Sequence, residues 1–109
     1  MENMKFGYAR VSTDAQSLDR QIDALNKYGV DELLTEKMTG TKRSRPELDR
    51  LIDKMREGDT VVIESLSRLG RSTKDLLALV ELFNERGVVL VSLKENIDIS
   101  TPTGKLLVT

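Results

Sequence analysis

Three evenly spaced glycines constrain the fold of this chain more than any other feature of its sequence. Gly29, Gly58 and Gly87 are separated by two intervals of 29 residues, and each lies between a helical apolar pattern and a strand-like segment. Glycine is favoured just beyond the end of a helix because it adopts a left-handed backbone conformation without strain. The spacing therefore predicts repeated strand–helix units, with each glycine at the C′ position after a helix.

The apolar residues between these glycines complete the pattern. The three helical faces consist of Leu18, Ile22 and Leu25, of Leu48, Leu51, Ile52 and Met55, and of Leu76, Leu79, Val80 and Phe83. Strands are predicted at residues 4–11, 33–35, 60–64 and 88–93. Pro46 is suited to the first turn of the second helix, and Ser72 or Thr73 can cap the third. The alternation predicts an α/β fold with three layers, α/β/α, and a mainly parallel sheet of four to five strands.

Composition limits the chemistry that the chain can perform. Its 109 residues include no histidine and no cysteine, and the net charge is −1. The usual base of a serine hydrolase is therefore absent, and a transition-metal site is not indicated. Neither common glycine-rich nucleotide motif occurs, and no apolar run approaches the length of a membrane span. We expect one intracellular domain that uses no metal, no nucleotide cofactor and no membrane.

Two arginine-bearing segments are expected to meet at one edge of the sheet. Arg10 and Ser12 lie at the end of the first predicted strand, and Arg68 and Arg71 follow the third. In open parallel sheets, ligands bind beyond the carboxyl ends of the strands where the strand order reverses; if the order is 2-1-3-4, that point lies between strands 1 and 3. Because guanidinium groups pair with phosphate oxygens, the pattern predicts phosphoryl chemistry with Ser12 as the hydroxyl nucleophile.

Each of these residues, taken alone, also has a structural interpretation. Ser12 could cap the first helix, and Arg10 could form a surface ion pair. Tyr8 is typical of a half-buried strand residue, while Gln16 and Gln21 would be ordinary helix surface. The phosphate interpretation is favoured because both arginine segments are expected at adjacent strand ends.

Several further motifs occur along the chain beside the two arginine-bearing segments. They are Gly7-Tyr8-Ala9-Arg10-Val11-Ser12-Thr13, Gln16, Gln21, Glu36-Lys37-Met38-Thr39-Gly40, Arg45-Pro46-Glu47-Leu48, Gly58-Asp59, Arg68-Leu69-Gly70-Arg71 and Gly104-Lys105. Together they resemble the catalytic domain of the serine recombinases, the resolvase/invertase family of site-specific DNA recombinases. The resemblance covers essentially the whole chain.

The resemblance implies a mechanism and a set of site residues. Ser12 would attack a DNA phosphodiester, forming a 5′-phosphoserine link and a free 3′-hydroxyl, and strand exchange and rejoining would follow. The phosphate would be held by Arg10, Arg45, Arg68 and Arg71. Supporting roles are implied for Tyr8, Gln16, Gln21, Thr39 and Ser67. Ser67 stands where many relatives have Asp, so the group that accepts the serine proton is not identified.

The resemblance also implies how the chain is organised and what it meets. Residues 1–100 would form the catalytic domain, and 101–109 would begin a truncated dimerisation helix, with the DNA-binding region absent and the fragment alone inactive. The implied partners are double-stranded DNA and further copies of the protein, as a homodimer and tetramer, in a prokaryotic cytoplasm. The alternatives are a non-catalytic module of the same fold that binds an anion or a protein, and a different phosphate-transferring enzyme.

Overall fold

The secondary structure alternates between strands and helices, as the glycine spacing predicts. A computed structural model describes residues 3–11, 15–37, 46–66, 69, 72–94 and 97–98. In chain order the elements are β1 (Lys5–Val11), α1 (Ala15–Tyr28), β2 (Glu32–Lys37), α2 (Pro46–Lys54), β3 (Thr60–Ile63), α3 (Thr73–Glu85), β4 (Val89–Ser92) and β5 (Ile97–Asp98). The four predicted strands and three predicted helices are confirmed.

The sheet has the order β2-β1-β3-β4-β5. β1 pairs in parallel with both β2 and β3, and β3 pairs in parallel with β4. Each parallel pair is linked through a helix, because a parallel connection must return to the starting edge of the sheet. β5 follows β4 after a short connection and is antiparallel to it. The predicted order 2-1-3-4 is confirmed, and the fifth strand adds an antiparallel edge.

Helices cover both faces of this sheet, and alternate strand residues contribute to two apolar clusters. On one face, Ala9 and Val62 pack with Leu25 of α1. On the other face, the side chains of β1, β3 and β4 pack against the apolar residues of α2 and α3. The buried residues of this larger cluster are Phe6, Tyr8, Leu34, Leu48, Leu51, Met55, Val61, Ile63, Leu69, Leu79, Val80, Phe83, Val88 and Leu90. The three-layer α/β/α prediction is confirmed.

The helix starts agree with the sequence. Pro46 is the first residue of α2, where its missing N–H leaves no hydrogen bond unmade. Ser72 caps α3, and its hydroxyl accepts a hydrogen bond from the backbone N–H of Asp75 at 3.2 Å. Of the two predicted cap residues, Ser72 is therefore the cap and Thr73 is the first residue of the helix.

The three glycines all have positive φ, at 102°, 93° and 72° in chain order. Gly29 directly follows α1, and Gly87 follows the last cap residue of α3. The C′ prediction is wrong for Gly58, because α2 already ends at Lys54. Gly58 instead belongs to a separate turn before β3. The next residue, Asp59, closes this turn.

Candidate active site

The carboxyl ends of β1 and β3 lie side by side. The two strands are parallel neighbours, with Tyr8 opposite Ile63. β1 ends at Val11, directly before Ser12, and β3 ends at Ile63, from which the chain continues toward Arg68. The predicted convergence of these two strand ends is therefore confirmed.

Gln21 of α1 holds the end of β1 through two hydrogen bonds. Its side-chain oxygen accepts from the backbone N–H of Arg10 at 3.1 Å, and its Nε2 donates to the Arg10 carbonyl, also at 3.1 Å. Gln21 is fully buried. Among the described residues, Tyr8 is the last residue of β1 that pairs with β3, and β1 continues beyond it without a partner strand on that side. The amide offers one donor and one acceptor to Arg10, as the peptide group of a neighbouring strand would.

Glu36 connects β1, β2 and the start of α2. This buried carboxylate accepts a hydrogen bond from the Tyr8 hydroxyl at 3.2 Å. It also accepts from the backbone N–H groups of Glu47 at 3.3 Å and Leu48 at 3.2 Å. These N–H groups belong to the first turn of α2, which has no internal partners for them and carries the positive end of the helix dipole. Glu36 therefore determines where α2 begins relative to the sheet.

Glu64, the first residue after β3, pairs with Arg20 of α1. The ion pair joins Arg20 Nη1 and Glu64 Oε2 across 44 residues of sequence. The Glu64 side chain is 10% exposed, whereas that of Arg20 is 62% exposed. The Glu64 carbonyl also accepts from the Lys94 N–H at 2.7 Å, which ties the same residue to the segment after β4.

Leucine side chains hold the segment that follows Glu64. Leu66 packs against the larger apolar cluster, and Leu69 is fully buried within it. The Leu69 N–H also donates to the Leu66 carbonyl at 3.1 Å, so the two leucines are joined by a backbone hydrogen bond as well as by their common packing.

Three of the predicted site residues lie within the described part of the chain. Arg10 is half-buried at the end of β1, while Tyr8 and Gln21 are fully buried. The half-buried interpretation of Tyr8 is wrong because its hydroxyl bonds the buried carboxylate of Glu36. The helix-surface interpretation of Gln21 is wrong because its amide bonds the Arg10 backbone. The predicted residues that fall outside the description are Ser12, Thr39, Arg45, Ser67, Arg68, Arg71 and the side chain of Gln16.

Sequence reasoning missed three residues that hold this edge together: Arg20, Glu36 and Glu64. Glu36 offered a signal, because it lies two residues after Leu34 and so faces the same buried side of β2. Arg20 and Glu64 offered no such signal, because charged residues are common at helix surfaces and strand ends in α/β proteins.

No metal site is found among the described residues, where no three acidic side chains are close enough together to hold an ion. The expectation of metal-free chemistry stays a prediction. Over the same residues, every helix is too short or too polar to cross a membrane.

Comparison with known proteins assigns the chain to a family. The family model for the resolvase N-terminal domain matches residues 5–109. The chain belongs to the resolvase family. In this resolvase domain, Tyr8, Ala9, Arg10 and Val11 complete β1, whose neighbour β3 ends at Ile63.

Curated relatives include resolvases and invertases of mobile elements. The resolvase domain is 55% identical over 102 residues to the transposon Tn917 resolvase of Enterococcus faecalis, covering 94% of this chain and 55% of that protein. It is 43% identical over 102 residues to the serine recombinase gin of Escherichia phage Mu, covering 94% of this chain and 53% of that protein. The chain thus spans about half the length of the curated relatives it matches.

Solved structures support the same assignment. The resolvase domain matches the N-terminal catalytic domain of TP901-1 integrase with a TM-score of 0.79 and 37% identity, covering 95% of this chain and 87% of that one. It also matches the catalytic domain of ISC1926 TnpA, an IS607-like serine recombinase, with a TM-score of 0.69 and 28% identity, covering 82% of this chain and 66% of that one.

Proposed function

We propose that this chain is the catalytic domain of a site-specific DNA recombinase and that Ser12 is its nucleophile. The observation that carries the proposal is the parallel pairing of β1 with β3, whose carboxyl ends lead to Ser12 and to Arg68 and Arg71 respectively. Resolvases, a DNA-invertase and serine recombinases among the relatives support the same reaction class.

In the proposed reaction, Ser12 Oγ attacks the phosphorus of a DNA phosphodiester. A new Oγ–P bond forms as Oγ loses its proton, the bond from phosphorus to the 3′ oxygen breaks, and that oxygen takes up a proton and leaves as a 3′-hydroxyl, so no net proton is gained or lost. The enzyme is left with a 5′-phosphoserine link. Attack by the 3′-hydroxyl of another strand reverses these bonds, so the bond energy is retained and rejoining needs no ATP.

The arginines supply the electrostatic part of the proposal. The transition state gathers negative charge on the non-bridging phosphate oxygens, and fixed guanidinium groups are suited to stabilise it. We assign this role to Arg10, Arg45, Arg68 and Arg71. Tyr8, Gln21, Gln16, Thr39 and Ser67 are proposed to support them; the hydrogen bonds of Tyr8 and Gln21 to their neighbours agree with a positioning role. Replacing one phosphate-binding arginine by alanine is expected to lower the cleavage rate by about 10²–10³-fold.

The stoichiometry of strand exchange extends the proposal to the whole protein. Two duplexes contain four strands, and each strand needs one serine nucleophile. A homodimer at each DNA site and a tetramer of the paired sites meet this requirement. We propose that the protein acts on DNA in the cytoplasm of a prokaryotic cell.

Ser12→Ala is the direct test. Full-length protein is incubated with a duplex that contains the recombination site and a nick, so that cleavage leaves the covalent intermediate trapped. The unaltered protein is expected to give a denaturation-resistant adduct, and Ser12→Ala is expected to give none. Thr35→Ala, which removes an exposed strand hydroxyl, serves as the control and should leave the adduct unchanged.

The polarity of the link provides a second check. A 5′-phosphoserine leaves a free 3′-hydroxyl, which a DNA polymerase extends, while the protein-linked end resists 5′ exonuclease. Adduct formation by Ser12→Ala, or a blocked 3′ end, would contradict the mechanism. A non-catalytic binding module would instead bind DNA equally well with and without Ser12 and form no adduct in either case.

A further inference from the structure

Two successive residues of α1 hold the ends of two different strands. Gln21 bonds both backbone groups of Arg10 near the end of β1. Arg20 pairs with Glu64 immediately after β3. One turn of α1 therefore contacts both chain segments that lead into the proposed site.

We propose that the Arg20–Glu64 ion pair is a positioning device for the recombination reaction. It holds the segment that leads from β3 to Arg68 in a constant relation to the end of β1, which leads to Ser12. The inference rests on the proposed function, because the distance that matters is the one between the nucleophile and the arginines that would bind the phosphate.

The burial of Glu64 distinguishes this pair from an ordinary surface ion pair. Exposed pairs contribute little because water screens them and both side chains lose freedom. The Glu64 carboxylate is 10% exposed, so separating it from Arg20 would leave a charge with poor access to water. This cost opposes movement of the segment away from α1.

Glu64 is also the first of several anchors along this segment. Its carbonyl accepts from Lys94, and Leu66 and Leu69 pack into the apolar cluster beyond it. Of these contacts, the ion pair is the one that links the segment to α1. The same helix holds Arg10 through Gln21. Displacement of reacting groups by about 1 Å can cost about 10²-fold in rate, so a partial loss of this link should be measurable.

Two charge-neutralising variants separate positioning from a simple charge effect. Arg20→Gln and Glu64→Gln should each lower the rate of adduct formation at saturating DNA by about tenfold. The DNA concentration that gives half the maximal rate should stay unchanged. If charge alone mattered, Glu64→Gln would remove a negative charge from the phosphate site and increase the rate, so the sign of this change decides between the two explanations.

Matched variants complete the experiment. Arg50 is 60% exposed and pairs with Glu47 within α2, so Arg50→Gln is the control for loss of an arginine ion pair and should leave the rate unchanged. Arg20→Lys, which keeps the charge, should restore most of the rate lost in Arg20→Gln. The double variant should be no slower than the slower single variant, because both changes remove the same interaction.

Rates are compared per folded molecule, at a temperature where circular dichroism reports each variant as folded. A role in stability alone would lower Tm and leave this rate unchanged. Unchanged rates in Arg20→Gln and Glu64→Gln, faster cleavage by Glu64→Gln, or an equal loss in Arg50→Gln would overturn the inference while leaving the proposed function intact. Failure of the unaltered protein to form an adduct would overturn the proposed function, and the inference with it.

Discussion

Single polar side chains complete the hydrogen bonding of this fold where strands extend past their neighbours. Gln21 is the clearest case, because its amide bonds both backbone groups of Arg10. A buried peptide N–H or C=O without a partner costs about 1–3 kcal/mol, so a side chain that satisfies two of them is valuable. Glu36 acts similarly on the first turn of α2 and on the hydroxyl of Tyr8.

Replacing Gln21 tests this account. Gln21→Leu has a similar volume but leaves the N–H and C=O of Arg10 without these partners, and we expect the free energy of unfolding to fall by about 2 kcal/mol or more. Urea denaturation followed by circular dichroism measures the change. Asn26→Leu, an exposed position on the same helix, is the control and should change stability by less than about 0.5 kcal/mol. Equal effects at the two positions would argue against the hydrogen-bonding role.

The polar residues of the site show where sequence reasoning succeeds and where it stops. Arg10 was placed correctly at a strand end because strand periodicity and the change to polar residues locate that end well. The burial of Gln21 was missed because a glutamine on a helix is usually solvated, and its partner, Arg10, lies on the preceding strand. Only the packing of α1 on the sheet brings the amide to the Arg10 backbone.

At the scale of elements, the side chains packed over β1 leave little room for a side chain at Gly7. A Cβ atom at this position would lie 3.1 Å from Leu33 Cδ1, 3.2 Å from Val30 Cγ2 and 3.3 Å from Leu25 Cδ1. Such contacts are tighter than side chains normally make, so these neighbouring side chains would have to move by a few tenths of an ångström.

Gly7→Ala is expected to destabilise the domain by about 1–3 kcal/mol through this overpacking. Val30→Ala removes a methyl group that the new Cβ atom would contact. The double variant should therefore lose less stability than the sum of the losses in the two single variants. Chemical denaturation of the four proteins gives the coupling energy. Strict additivity would show that the contact with Val30 is not the cause.

At the scale of the whole molecule, the two ends of the sheet differ in what their polar residues do. At the amino end, the buried Asp59 accepts hydrogen bonds from the N–H groups of Met4 at 3.0 Å and Arg56 at 2.8 Å. These bonds join the start of β1 to the turn before β3. The proposed chemistry lies at the opposite end, beyond Val11 and Ile63, so Asp59 can affect stability without affecting reactivity.

Asp59→Ala should therefore separate the two properties. It leaves two backbone N–H groups without their carboxylate partner, and we expect a loss of about 2–3 kcal/mol in the free energy of unfolding. The rate of adduct formation per folded molecule should be unchanged. Thermal denaturation and the trapped-cleavage assay measure the two quantities on the same samples. A slower reaction without a loss of stability would contradict the expectation that Asp59 affects stability alone.

The sequence by itself determined the succession of strands and helices and their apolar faces, and with the resolvase-like strand order 2-1-3-4 it also indicated the sheet edge where Ser12 and the arginines are expected. These follow from periodicity and glycine placement, which are local, and from general rules of chain connection. Tertiary structure alone decided which polar groups pair across that edge: Gln21 with Arg10, Glu36 with α2, and Arg20 with Glu64 across 44 residues. The physical reason is that a hydrogen bond depends on ångström-level placement of two elements, and periodicity specifies only which face each element turns to the core.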